Sequence, residues 1–146
     1  TLVMAAMRGM QVTVLRPEGF EFPEAVVDKA RQEAAAAAGG AVHTSNDKDE
    51  ALEGAHIVYA KSWTSALHSG SAEKDKIMRR SATQWCIDPS WFNAVDTNCR
   101  LMHCLPVRRG VEVTDSVLDS PRSVVIQQAR NRMLTQMALL HQMLGH

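Results

Sequence analysis

The alternation of short apolar segments with helical stretches constrains this chain more than any other feature. Residues 12–15, 41–44, 56–60, 100–104 and 123–126 read as strands, mostly apolar and with little two-residue alternation. Strands of that kind are buried on both faces, as in parallel sheets whose crossovers lay helices on either side. Helical spacing of Leu2, Val3, Ala6 and Met10, with Gly9 near the stop, predicts a helix over the first ten residues. A second runs from 23 or 24 to 38, with proline in its first turn and Gly39-Gly40 at its end. Shorter helices are predicted over 47–54, capped by Asn46 or Asp47, over 73–81, and over 88–95 behind Asp88-Pro89. A one- or two-turn helix over 114–119 and a final amphipathic helix over about 129–144 complete the pattern. The expected fold class is α/β, a doubly wound, Rossmann-like parallel sheet in one domain, 1–146. Such a sheet normally begins with a strand that feeds the first helix and lies mid-sheet. Here a helix comes first, so the expectation is a sheet lacking its first strand, as a piece of a longer polypeptide.

Charge narrows the function. Sixteen basic and sixteen acidic residues cancel, which leaves no field to attract nucleic acid or an anionic membrane surface. No apolar run approaches the length of a membrane span, and the amino end lacks the ordered regions of a signal peptide. Cys86, Cys99 and Cys104 form an odd set with no close pairing motif, which suits a reducing compartment and a cytoplasmic domain. Neither Cys nor His falls at zinc-ligand spacing, so no metal site is expected.

In a parallel sheet every strand-to-helix loop lies on the carboxyl edge, where open α/β sheets bind ligands. Three such loops carry chemistry: Lys61-Ser62-Trp63, the segment from His103 to Arg109, and the segment from Gln128 to Arg132. The second is the most telling, because Pro106 cannot donate to a sheet ladder and stops the strand near Leu105. Together the loops offer cations, a thiol, hydroxyls and backbone groups, without paired carboxylates or a Ser-His-Asp order. That set orients an anionic or zwitterionic ligand rather than activating water. Structural readings stand beside it. Cys104 can equally be a small buried apolar residue. Lys61 can be a solvated loop lysine, and Arg108 and Arg109 a surface pair bound to Glu112 or Asp115. Arg132, in the first turn of the last helix, is an unfavourable place for a cation unless it serves a ligand.

The order of these pieces resembles the carboxyl-terminal half of the ornithine carbamoyltransferase family. The resemblance rests on Met102-His103-Cys104-Leu105-Pro106, Arg109-Gly110-Val111-Glu112-Val113-Thr114-Asp115, Val117-Leu118-Asp119-Ser120-Pro121 and Gln128-Ala129-Arg130-Asn131-Arg132. Pro17-Glu18-Gly19-Phe20 and Gly54-Ala55-His56-Ile57-Val58-Tyr59 look like earlier landmarks of the same domain. It implies the second domain of a two-domain enzyme, trimeric when full length. The reaction moves the carbamoyl group of carbamoyl phosphate to the side-chain amine of ornithine or an N-acylornithine, a step of arginine biosynthesis, with no cofactor.

Within the family the chain leans to the N-acetyl- and N-succinylornithine branch. Ordinary ornithine enzymes carry an acidic residue and a Ser-Met-Gly loop after the third strand to hold an ammonium, where Ala60-Lys61-Ser62-Trp63 stands here. A lysine repels an ammonium but pairs with the carboxylate of a substrate whose α-nitrogen is acylated. Pro106-Val107-Arg108-Arg109 is similar to the acylornithine pattern, whereas Gly110 and Glu112 are closer to the ordinary enzyme. Glu112 stands where a lysine occurs in some acetylornithine enzymes.

The resemblance also implies roles. Cys104 and Leu105 line the meeting place of carbamoyl group and amine, Leu105 through its carbonyl. Arg132 binds the carbamoyl oxygen, and Lys61, assisted by Arg108, holds the substrate carboxylate, with His103 among the binding residues. The family's phosphate-binding Ser-Thr-Arg-Thr-Arg-like run is not present in these residues, so the piece alone is expected to be inactive. The alternative is a truncated, non-catalytic amino-acid-binding or assembly module.

Overall fold

The computed structural model describes residues 1–62 and 83–145. The helix predicted over 73–81 and the loop position Trp63 lie outside the described residues. The chain divides into two compact units, one built on Thr1–Ala51 and the other on Leu52–Ser62 together with the residues from Thr83 onward.

In the first unit, helix α1 (Leu2–Met7) leads into strand β1 (Gln11–Leu15), and helix α2 (Glu24–Ala36) crosses to strand β2 (Ala41–Ser45). The two strands pair in parallel, Gln11 opposite Ala41 through Leu15 opposite Ser45. The core is small-residue packing: Ala6, Ala30 and Ala34 are buried, with Leu2, Val3 and Val42 against them. Alanine lets the helices approach closely, and a side chain at Gly40 would meet the Ala34 carbonyl oxygen at 2.9 Å. Helix α3 (Lys48–Leu52) follows, and Asp47 caps it, its Oδ1 accepting from the Asp49 and Glu50 N–H groups at 2.9 and 3.2 Å.

In the second unit, strand β3 (Ile57–Ala60) lies parallel to strand β4 (Arg100–His103), with Ile57 opposite Arg100 and Ala60 opposite His103. Leu101, at the centre of β4, is wholly buried with Cys99. The helix predicted over 88–95 is a single 3-10 turn, Pro89–Phe92, capped by Asp88 as expected. Helix α4 is Asp115–Leu118 and helix α5 is Val125–Met143.

The predicted last strand, 123–126, shrinks to one parallel bridge between Ser123 and Leu101. Leu101 N–H donates to the Arg122 carbonyl at 2.9 Å and the Val124 N–H to the Leu101 carbonyl at 3.0 Å, after which the chain turns straight into α5. Val125 is the buried residue of that helix, and Ile126 already points to solvent. β-branched side chains at 124–126 suit a strand, but the local hydrogen bonding of the helix start wins. No helix among the described residues is long and apolar enough to cross a membrane.

The expected parallel pairing is met in both strand pairs, and α2 makes the expected crossover between β1 and β2. The strands pair as β1 with β2 and β3 with β4.

Candidate active site

The register of β3 and β4 puts Ala60 opposite His103, so Lys61 and Cys104 leave neighbouring strands at the same carboxyl edge. β4 ends at His103, just short of the proline. Cys104 is half-buried. Leu105 takes a φ of +51°, in the left-handed region where a non-glycine residue costs about 1–3 kcal/mol. Its peptide bond to Pro106 is cis. The turn is held from behind: the Leu105 N–H donates to His103 Nδ1 at 2.9 Å.

His103 is 1% exposed and Glu112 4%, the two buried polar residues of this region. With Nδ1 accepting from Leu105, the proton of the neutral imidazole sits on Nε2. Nε2 lies 3.3 Å from Glu112 Oε2, a close approach that lacks hydrogen-bond alignment. Glu112 is the hub. Its Oε1 accepts from the Ser62 hydroxyl at 2.7 Å and from Arg108 Nε at 3.0 Å, and its Oε2 accepts from the Arg108 backbone N–H at 3.0 Å. Burial alone would raise its pKa, but the Arg108 N–H, the Ser62 hydroxyl and the Arg108 charge outweigh burial. The carboxyl is held below its ordinary value. His103 is pushed down chiefly by burial, Glu112 opposing the shift and the nearby Lys61 charge adding to it.

Both shifts act in one direction on stability. A folded-state pKa below the unfolded one means that the unfolded chain takes up protons first as pH falls. The His103 contribution is therefore present above its ordinary value of 6.5 and is lost as pH falls toward its folded pKa. Urea unfolding of the wild type is expected to show falling stability from pH 7 to pH 5.5, with a shallower slope in His103→Asn. Equal slopes would mean that His103 is not the group responsible.

The structure separates the two arginines. Arg109 is a fastener: Nη1 reaches Asp115 at 2.7 Å, and Nη1 and Nη2 grip Asp119 at 2.8 Å each. Its Asp119 and Asp115 partners raise its pKa above the ordinary range. Arg108, with a half-exposed side chain, is anchored at Nε by Glu112, which leaves its two terminal nitrogens without a bond among the described residues. The surface-pair reading thus holds for both arginines as to partners, and Arg108 keeps donors to spare.

Arg132 comes from α5. That helix starts at Val125, so Arg132 lies nearly two turns in, and the first-turn dipole penalty expected from the sequence does not apply. Its Nη1 donates to the Cys104 carbonyl at 3.3 Å. One turn earlier, Gln128 Oε1 accepts the His103 backbone N–H at 3.0 Å and Nε2 donates to the Tyr59 hydroxyl at 3.0 Å. Lys61 is exposed at the end of β3.

All six residues singled out beforehand, Lys61, His103, Cys104, Leu105, Arg108 and Arg132, therefore belong to one unit and one sheet edge. Sequence reasoning missed Glu112 as the buried hub and the Gln128–Tyr59 link. An acid between two valines, Val111-Glu112-Val113, was the available signal. The arrangement presents cations and backbone groups at the edge that carries Cys104, with the Glu112 carboxylate already taken up by Ser62 and Arg108.

Residues 1–143 match the family model for the Asp/Orn binding domain of aspartate/ornithine carbamoyltransferases. The N-acetylornithine carbamoyltransferase of Xanthomonas campestris pv. campestris is 37% identical over 145 residues, covering 99% of this chain and 42% of that protein. The ornithine carbamoyltransferase of Acidothermus cellulolyticus is also 37% identical, over 95% of this chain and 43% of that protein. A crystal structure of acetylornithine transcarbamylase complexed with acetylcitrulline superposes with a TM-score of 0.86 at 36% identity, covering 95% of this chain and 41% of that one. The chain thus spans under half the length of these relatives, and their equal identities do not choose between acceptors. With the motif residues and the fold in agreement with the family model, this chain belongs to the aspartate/ornithine carbamoyltransferase family as its Asp/Orn binding domain.

Proposed function

We propose that residues 1–146 are the amino-acid-binding domain of an enzyme that carbamoylates the side-chain amine of N-acetyl- or N-succinylornithine, or of ornithine. Carbamoyl phosphate is the donor, and phosphate and a citrulline derivative are the products, in cytoplasmic arginine biosynthesis. In this reading the domain pairs, in the native polypeptide, with an amino-terminal carbamoyl-phosphate-binding domain, and three copies assemble with shared sites. The observation that carries this reading is the 3.3 Å contact between Arg132 and the Cys104 carbonyl, which joins two motifs 28 residues apart at one edge.

The chemistry is mostly positioning. The amine enters deprotonated and its nitrogen bonds to the carbamoyl carbon, while the bond to phosphate oxygen breaks; phosphate leaves with the electron pair and takes up the proton that the nitrogen gives up. Charge builds on the carbamoyl oxygen, and Arg132, already at the Cys104 carbonyl, supplies a cationic donor for it. Cys104 and the Leu105 carbonyl line the approach of the amine. Lys61 and the terminal donors of Arg108 receive the substrate carboxylate. An acylated acceptor is favoured because Glu112 is consumed by Ser62 and Arg108 and offers nothing to an α-ammonium.

Steady-state assays of the native polypeptide with carbamoyl phosphate and each of the three acceptors test this. The expected kcat/KM for an acylated acceptor exceeds that for ornithine by about tenfold or more. Preference for ornithine would overturn the leaning to acylated acceptors and leave carbamoyl transfer standing. Acceptor binding without turnover on any of them would leave the non-catalytic amino-acid-binding module as the better reading.

A further inference from the structure

We propose that Gln128 is a positioning residue that sets the register of α5 against the sheet and so aims Arg132. This rests on the carbamoyl-transfer reading of the site. The attachment of α5 to its unit is unusual. Val125 is its buried residue, whereas Ile126, Met133, Leu134, Met137, Leu139, Leu140 and Met143 are exposed. Within this unit, apolar packing therefore does little to fix the helix where the site needs it.

Polar contacts do so instead, at four-residue spacing. The Val124 N–H donates to the Leu101 carbonyl at 3.0 Å, the Gln128 amide bonds both strands, and Arg132 Nη1 reaches the Cys104 carbonyl at 3.3 Å. Gln128 and Arg132, spaced by four, share one face of the helix, and the Val124 backbone N–H ties down the N-cap ahead of them. Gln128 is the middle anchor and the one that spans two strands. Its oxygen takes the His103 N–H at the last residue of β4, and its nitrogen gives to the Tyr59 hydroxyl on β3. Both ends of the amide are used, so its orientation is fixed by its partners.

Loss of this link lets the helix shift about its axis or along it, and Arg132 shifts with it. Misplacement by about 1 Å is enough to cost about a hundredfold in rate. The Tyr59 hydroxyl, as the outer partner, has a smaller effect of the same kind.

The test is a double-mutant cycle in the native polypeptide, with Gln128→Leu, Arg132→Ala and the pair, and with Gln128→Glu and Tyr59→Phe beside them. In Gln128→Leu, kcat is expected to fall about tenfold to a hundredfold with the KM for the amino-acid acceptor unchanged. Added to Arg132→Ala, the same substitution should lower kcat no further, because its effect passes through Arg132. Gln128→Glu, which can accept from both the His103 N–H and the Tyr59 O–H, should restore most of kcat. Additive losses, or an unchanged kcat in Gln128→Leu with an active wild type, overturn the role of Gln128 and leave the site assignment standing. An inactive wild type removes both.

Discussion

Arg132→Ala is expected to lower turnover in the native polypeptide by about a hundredfold or more, the scale of losing one preorganised donor to a developing negative charge. Folding should be spared. Arg132 is exposed, and its contact is a single hydrogen bond to the Cys104 carbonyl at 3.3 Å. A long, exposed bond of that kind adds little stability. The loss should fall on kcat and kcat/KM together, since the charge it meets forms only in the transition state. Arg132→Lys keeps the charge but not the two-pronged geometry, and should recover only part of the rate. Unchanged turnover in Arg132→Ala, measured by citrulline-derivative formation, would remove Arg132 from the reaction.

Glu112→Ala should act in the opposite way, on stability first. Its carboxylate serves the Ser62 hydroxyl, the Arg108 N–H and Arg108 Nε, and faces His103 Nε2 at 3.3 Å. Removing it strands several polar groups at a buried point, and chemical denaturation should register a loss of about 3 kcal/mol. Glu112→Gln keeps the shape but trades one acceptor for a donor, with an intermediate loss expected. A change within about 0.5 kcal/mol in Glu112→Ala would show that water replaces the carboxylate without cost, and that the hub is not structural.

Much of the fold was legible because its signals are local. Proline at 106 lies just past the end of β4, Gly9 follows the end of α1, and Asp47 and Asp88 cap the turns that follow them. Parallel pairing followed from apolar strands without alternation. Where tertiary bonding decides, the pattern misled. The segment 123–126 looks like a strand but contributes one bridge, because the Val124 N–H spends its bond on Leu101 and the helix begins at once. The earlier helix start also moved Arg132 away from the dipole, which changed the reason for its presence but not its place. The six residues expected at the carboxyl edge were legible from loop position and motif order. Glu112 and Gln128 were not, since each acts through partners distant in the chain: Ser62 lies 50 residues from Glu112 and Tyr59 lies 69 from Gln128.

The central claim is carbamoyl transfer at this edge. A single-turnover experiment with carbon-13-labelled carbamoyl phosphate and acetylornithine, followed by NMR, reads it most directly. The expected result is movement of the labelled carbonyl from the acyl phosphate to the side-chain nitrogen of the acceptor. Label that stays on phosphate, or appears only as hydrolysed carbamate, with acetylornithine, succinylornithine and ornithine alike, would contradict it.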